Sequence, residues 1–286
     1  MSRFFKLRKQ GAGWLGLSAF SLCFYAFIYL PLFIIIVYSF NSNPVNMMVW
    51  DHFTLDWYRG LLGLQDRAAS AGANRSIYVE STDQMIAALK NSLTVAAFTT
   101  TISTVIGTAT AIAISRYRFR ARGFYSGFLL APMMMPDIVL GIGLLLFFVK
   151  IGMNLSLLTI VIGHCTFLTS YVFIIVQARI AGLDPALEEA SADLGANEMT
   201  TLRKVLLPQL APGIIGGGLL AFVISMDDLV ITYFISGTGS TTLPVFIFSM
   251  IRRGVKPEIN AMATLIILAS VLIAAFGLWL RSRQTD

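Results

Sequence analysis

Charge is scarce in this chain of 286 residues. Only 13% of them are Asp, Glu, Lys or Arg, 56% are hydrophobic, and the mean hydropathy is +0.76. A soluble domain carries about 25% charged residues, so the composition excludes a water-soluble globule and points to a polytopic membrane protein. Cysteine is nearly absent: Cys23 and Cys165 each fall inside an apolar run, which leaves neither a disulfide framework nor a thiolate metal site. The two histidines, His52 and His164, stand at no ligand spacing from cysteine or acid, and His164 reads as a hydrogen-bonded packing residue. No cofactor is expected. A phosphate cradle is also missing, since Gly237-Thr238-Gly239-Ser240 lacks the Gly-Lys-Ser/Thr ending, so the chain is not read as an enzyme and ATP hydrolysis would have to come from another chain. The formal charge of +6 does not imply nucleic acid, because the basic residues sit in short clusters beside apolar runs.

What is present is a series of apolar runs, at about 14–40, 85–115, 124–149, 156–177, 212–235 and 259–280. They predict an all-α integral membrane protein of six transmembrane helices, forming a single membrane domain over 1–286. The first run follows Arg3, Lys6, Arg8 and Lys9 and is too long for a signal-peptide core, so it reads as an uncleaved span. Arg116, Arg118, Arg120 and Arg122 crowd one short loop and mark it as cytoplasmic. Six spans then leave both termini in the cytoplasm, with Arg252, Arg253 and Lys256 as the main exceptions to the charge rule. Residues 41–83, with Trp50, Trp57 and Tyr58, and residues 236–258 read as outer loops. The second holds a short apolar piece, Leu243 to Ile251, that is expected to lie at the interface or re-enter. The second span is rich in Thr, Ser, Gly and Ala and is expected to pack centrally. Asn74-Arg75-Ser76 matches a glycosylation acceptor, a pattern short enough to be chance.

One long polar stretch, 184–208, interrupts the apolar runs between spans four and five. Asp184 suits a helix N-cap, Pro185 the first helical position, and Glu188 and Glu189 the first turns, where the helix dipole favours acids. Leu187, Ala190 (or Ser191) and Leu194 recur at helical spacing before Gly195. Asn197 then caps a second short helix carrying Met199, Leu202 and Leu206 on one face, which Pro208 is expected to end. Two amphipathic helices hinged at a glycine on a cytoplasmic loop form a docking element in need of a partner surface.

This loop resembles the "EAA" motif of binding-protein-dependent ABC importer permeases: E-A-A, three residues, G, nine residues, then I-x-L-P. Here the pattern runs Glu189-Ala190-Ser191, Gly195, Val205-Leu206-Leu207-Pro208, with Ser191 and Val205 as the departures. The resemblance implies a coupling loop that docks on an ATPase subunit, with Glu188, Glu189, Ala190, Gly195, Leu207 and Pro208 as its residues.

Three acids fall within the spans: Asp137, Asp227 and Asp228. An ionised carboxylate in a bilayer costs about 2.5–3.5 kcal/mol or more, so such residues usually face a watery cavity or bind a cation. Counted at about 1.5 Å per residue from Gly123 and Pro212, Asp137 and Asp227 lie at a similar depth, roughly 21–23 Å from the cytoplasmic face. On the fifth span Ser225, Asp228 and Thr232 share a face at helical spacing. Asp228 is thus expected to face a pathway, Asp227 to have a local hydrogen-bonding task, and Asp137 to do either, while Tyr233 is a weaker candidate for facing an organic cation. Two rival readings would also account for the acids. An intramembrane aspartyl protease lacks its Tyr-Asp and Gly-x-Gly-Asp motifs here. An ATP-independent channel or secondary cation transporter would leave the coupling loop without a purpose.

PMMMPDIVLGIGLLLFF, SMDDLVITYFISG and LPVFIFSMIRRGVKPEINAMATL resemble the polyamine (spermidine/putrescine) branch of these permeases, as its second membrane subunit, over most of the chain. The resemblance implies a bacterial inner-membrane importer: a heterodimer with a sister permease, two ATP-binding subunits, a periplasmic substrate-binding protein and a polyamine substrate, surrounded by membrane lipid. Another small solute remains open, because the family also carries other cargoes.

Overall fold

The computed structural model describes residues 13–43, 49–62, 76–117, 119–253 and 257–283. Arg3, Lys6, Arg8, Lys9, Asn74, Arg75, Arg118 and Lys256 lie outside them. Regular structure among the described residues is helical, apart from an isolated antiparallel bridge between Asn41 and Phe53. Four helices are long and apolar enough to cross a membrane, or five if one sharply bent pair counts as a span. The all-α membrane class expected from composition is therefore the observed one.

The chain divides into two units, residues 1–82 with 250–286, and residues 83–249. The first contains α1 (Gly13–Tyr38), α2 (Asp56–Leu61) and α12 (Pro257–Arg283), with α12 packed on the other two. Apolar side chains project from α1 on all sides, as in a helix that meets lipid. Beyond its end, Phe40 stacks on Phe53 and meets Tyr58 at a tilt, both at 5.2 Å, and Trp57 Nε1 donates to the Asn41 carbonyl at 2.9 Å.

The second unit is built around α6 (Leu157–Ala181). Against it pack α4 (Arg122–Met134), α9 (Leu207–Asp227) and α10 (Val230–Ile235), while α5 (Asp137–Lys150) packs chiefly on α10. Burial of the most apolar window reaches 61% in α6 and 33% in α3 (Ser76–Arg116), so the fourth apolar run, rather than the second, is the centre of the unit. Close packing is still legible in α3. A Cβ on Gly107 would stand 2.9 Å from Val172 Cβ of α6, a gap that only glycine permits.

Two expected spans are broken. The run 124–149 forms α4 and α5, bent by 104°. Pro136 has no N–H to continue the first helix and drives Met135 into an extended conformation (ψ 141°), which ends α4. Similarly, the run 212–235 stops at Asp227, and Asp228 is extended (ψ 118°) before α10 begins at Val230. The opposite correction applies at Pro208. It does not end a helix there: the chain stays helical from Glu198 to Asp227, through α8 (Glu198–Thr201), a wider π turn over Leu202–Leu206, and α9. Pro208 falls in the first turn of α9, where the wider turn before it makes room for the ring and for the carbonyl it cannot pair. The segment expected at the interface is the short helix α11 (Leu243–Arg253).

Candidate functional site

The polar stretch 184–208 folds as an elbow. Asp184 Oδ1 accepts from the Ala186 N–H at 3.0 Å and so opens α7 (Ala186–Asp193), with Glu188 and Glu189 in its first turn. Gly195 takes φ +78°, a left-handed conformation that glycine adopts without a Cβ penalty, and turns the chain out of α7. Asn197 Oδ1 then accepts from the Thr200 N–H at 2.8 Å, capping α8. Between the arms, Ser191 Oγ and Thr201 Oγ1 share a hydrogen bond of 2.9 Å in a buried position. The residue that departs from Ala in the motif is thus a clamp across the bend.

Leu187, Leu194 and Met199 point outward on the elbow, Leu194 at 89% exposure, while Leu206 is buried in the unit's core. Ala190 and Pro208 are exposed and Leu207 is half-buried. Glu188 and Glu189, adjacent in sequence, have different surroundings. Glu188 Oε2 meets Arg116 Nη2, the end of α3, at 2.5 Å, whereas Glu189 is exposed. A cleft of about 390 Å³ separates the elbow from the helix ends, lined among others by Arg116, Asp184, Glu188, Glu189 and Leu206.

At the other end of α6 and α9 lies a second polar cluster. His164, fully buried, reaches Ser225 Oγ through Nδ1 at 2.9 Å. Its Nε2 lies 2.9 Å from Thr232 Oγ1 and 3.2 Å from Asp228 Oδ2. Asp228 Oδ2 also accepts from the Thr232 N–H at 2.8 Å and the Thr232 hydroxyl at 2.7 Å. The carboxylate therefore organises the start of α10 just past the break. Ser225, Asp228 and Thr232 meet as the sequence suggests, but around a histidine 61 residues or more away in the chain.

The local hydrogen-bonding task expected for Asp227 belongs to Asp228 in this structure, and Asp227 is the exposed member of the pair. A helical wheel drawn through 212–235 assumes one helix, and the break at Asp228 is what brings its carboxylate to the Thr232 N–H. Asp137 is exposed at the first turn of α5, where the helix dipole favours a carboxylate, and Pro136 before it makes no side-chain cap. Tyr233 is 50% exposed and meets Phe234 and Phe248 edge-on. His164 is buried and hydrogen-bonded, as the sequence suggests, but which partners it takes is not legible there; the available signal is that an imidazole within an apolar span demands polar partners. No group of three or more metal-ligating side chains occurs among the described residues.

Similarity to known proteins matches this geometry. Residues 84–284 match the model of the family described as binding-protein-dependent transport system inner membrane component. The spermidine/putrescine transport system permease protein PotC of Escherichia coli is 39% identical, over 93% of this chain and 94% of that one. Its namesake from Haemophilus influenzae is 38% identical over 97% and 96%, and the putrescine transport system permease protein PotI of E. coli is 39% identical over 89% and 86%. Among solved structures, a chain of a bacterial ABC transporter that imports the acidic polysaccharide alginate superposes with a TM-score of 0.65 at 14% identity, covering 99% of this chain and 98% of that one. A chain of an amino acid ABC transporter gives 0.55 at 21% identity, covering 71% and 96%. With its run of apolar helices and its exposed elbow, this chain belongs to the multi-pass inner membrane components of binding-protein-dependent transport systems.

Proposed function

We propose that this chain is a membrane-spanning subunit of an ATP-driven importer that moves a polyamine of the spermidine/putrescine class from periplasm to cytoplasm by alternating access. The observation that carries the proposal is the pairing, in one unit, of an outward-facing apolar elbow with membrane-level carboxylates at the far end of the same helices. From His164 to Ala181, the last residue of α6, the distance along the helix is roughly 25 Å. Force applied at the elbow therefore reaches the acids through continuous α6 and α9.

In this reading Glu188, Glu189, Ala190, Gly195, Leu207 and Pro208 couple the chain to an ATPase. Leu187, Leu194 and Met199 fill the partner's groove. Asp137, Asp227, Asp228, Ser225, Thr232 and Tyr233 belong to the substrate pathway, with Asp137 and Asp227 the more exposed acids and Asp228 a carboxylate held in place at the break. The assembly pairs this chain with a sister permease, two ATP-binding subunits and a periplasmic binding protein that docks on 41–83 and 236–258. The bent pair α4–α5 supplies one span, and α12, apolar over Ile259–Leu272, supplies the sixth, which leaves both termini cytoplasmic. The chain then forms one membrane domain, with no ATP chemistry of its own.

Substrate class rests on near-full-length identity to polyamine permeases and on the carboxylates. The fold alone does not fix it, since the alginate importer has the same fold and carries an anionic cargo. The deciding experiment is uptake by the complete complex in proteoliposomes, with labelled spermidine and putrescine competed by a neutral sugar. ATP-dependent uptake blocked by polyamines and not by the sugar is the expected result. Uptake that persists without ATPase subunits would instead identify a channel or secondary transporter, and uptake indifferent to polyamines another solute.

A further inference from the structure

We infer that His164 is a positioning residue of the import pathway: it fixes the Asp228 carboxylate and ties both pieces of the broken fifth helix to α6, and so sets the affinity for a cationic cargo during transport. The inference rests on the polyamine reading above, and its test is arranged to separate the two.

A packing histidine needs bulk and one satisfied nitrogen or two; this one uses each nitrogen on a different piece of the chain. Ser225 belongs to α9, Asp228 to the break and Thr232 to α10. Three donors converge on Asp228 Oδ2, and His164 is the one contributed by another helix.

The hydrogen bonds dictate where the imidazole proton lies. Thr232 has a single hydroxyl proton, and at 2.7 Å it is directed to Asp228 Oδ2. Its oxygen is then an acceptor for His164 Nε2, which also faces the carboxylate. A bare Nε2 lone pair would oppose both oxygens, so Nε2 carries hydrogen. Ser225, with a hydroxyl that gives or takes a proton, accommodates Nδ1 in either state. The side of the ring turned to Asp228 is thus a donor whatever the charge of the ring.

The backbone is arranged to let this happen. Gly163, the residue before His164, faces Ile235 so closely that a Cβ would lie 2.4 Å from its Cδ1. Thr159 Oγ1 lies between the Ser156 carbonyl at 2.7 Å and the Ile235 carbonyl at 2.8 Å and shares its one proton between them, which brings the end of α10 to the start of α6. Held this way, α10 presents Thr232 and the break presents Asp228 to one ring. All three bonds fall on Oδ2, so the direction of the carboxylate is set before any cation arrives. A fixed carboxylate loses no freedom when it meets an ammonium group, which is the advantage of preorganisation.

The test uses the complete complex in proteoliposomes, with KM and maximal rate of spermidine uptake measured for wild type, His164→Leu, His164→Gln and His164→Asn. The Gln amide nitrogen reaches the Nε2 position and still donates toward Asp228 and Thr232; the Asn amide reaches only the Nδ1 position, toward Ser225. Expected is a KM raised about ten- to hundredfold in Leu and Asn, the worth of a hydrogen bond to a charged group, with the maximal rate much less affected and KM largely restored in Gln. The Gln–Asn comparison decides the matter even if the Leu variant fails to fold. An equal loss of maximal rate in Gln and Asn with KM unchanged, or wild-type KM in both, overturns the inference and leaves a packing residue. Wild-type complex that takes up no polyamine overturns the import reading itself.

Discussion

Arg116, the last residue of α3, holds Glu188, in the first turn of α7, in an ion pair with an N–O distance of 2.5 Å. The bond ties the elbow to a helix other than the two it connects, so motion of α7 reaches α3 as well as α6 and α9. Both side chains are partly exposed, at 27% and 40%, so the pair contributes within about 1 kcal/mol to stability. Its importance is in orientation. Arg116→Glu and Glu188→Arg, each placing like charges together, are expected to lower ATP-dependent uptake about three- to tenfold. The double exchange should recover most of the loss. Uptake of the double variant no better than that of the worse single one would show that the pair does not act as a unit.

Much of the elbow was legible from sequence because its signals are local. Asp184, Gly195 and Asn197 perform the capping and turning that their residue types suggest, each within a few residues of its partner. The broken helices were not legible in the same way. Pro136 ends a helix and Pro208 does not, although each stands in an apolar context: Met135 is extended ahead of the first, and a widened turn stands ahead of the second. The acid cluster failed for a different reason. Its key partner, His164, lies 64 residues from Asp228, and no periodicity argument connects residues on separate helices.

Asp227 and Asp228 should separate in stability as they do in surroundings. Alanine at Asp228 takes the shared acceptor from the Thr232 N–H and hydroxyl in a buried setting and leaves His164 Nε2 with Thr232 Oγ1 alone, at a cost of about 1–3 kcal/mol. Alanine at exposed Asp227 should stay within about 0.5 kcal/mol. Thermal unfolding of the purified complex in detergent reads the difference. Asp227→Ala is nonetheless expected to weaken polyamine uptake, so activity and stability move together at one position and apart at its neighbour. Equal melting temperatures for the two variants would contradict the assignment of Asp228 to the helix break.

Leu194 offers a test of the docking face. At 89% exposure it has little to lose within this chain, so Leu194→Asp should leave membrane insertion and pairing with the sister permease intact. A charge in an apolar anchor position should weaken capture of the ATPase subunits at least about tenfold, measured by co-purification from detergent at matched expression. Normal capture by this variant would mean that the elbow meets its partner through some other surface.

The clamp across the bend, Ser191 to Thr201, permits a cleaner energetic test than any charge. Both residues are buried, and their hydroxyls satisfy one another at 2.9 Å. Ser191→Ala restores the residue type of the motif pattern but strands the Thr201 hydroxyl, at a cost of about 1–3 kcal/mol. Thr201→Val strands Ser191 in the same manner. Removing both hydroxyls leaves no buried group unpaired, so the double variant is expected to be more stable than either single one, and chemical unfolding of the four proteins closes the cycle. Additive losses in the double variant would show that the hydroxyls find water or other partners, and that α7 and α8 are held at their angle by Gly195 and apolar contacts instead.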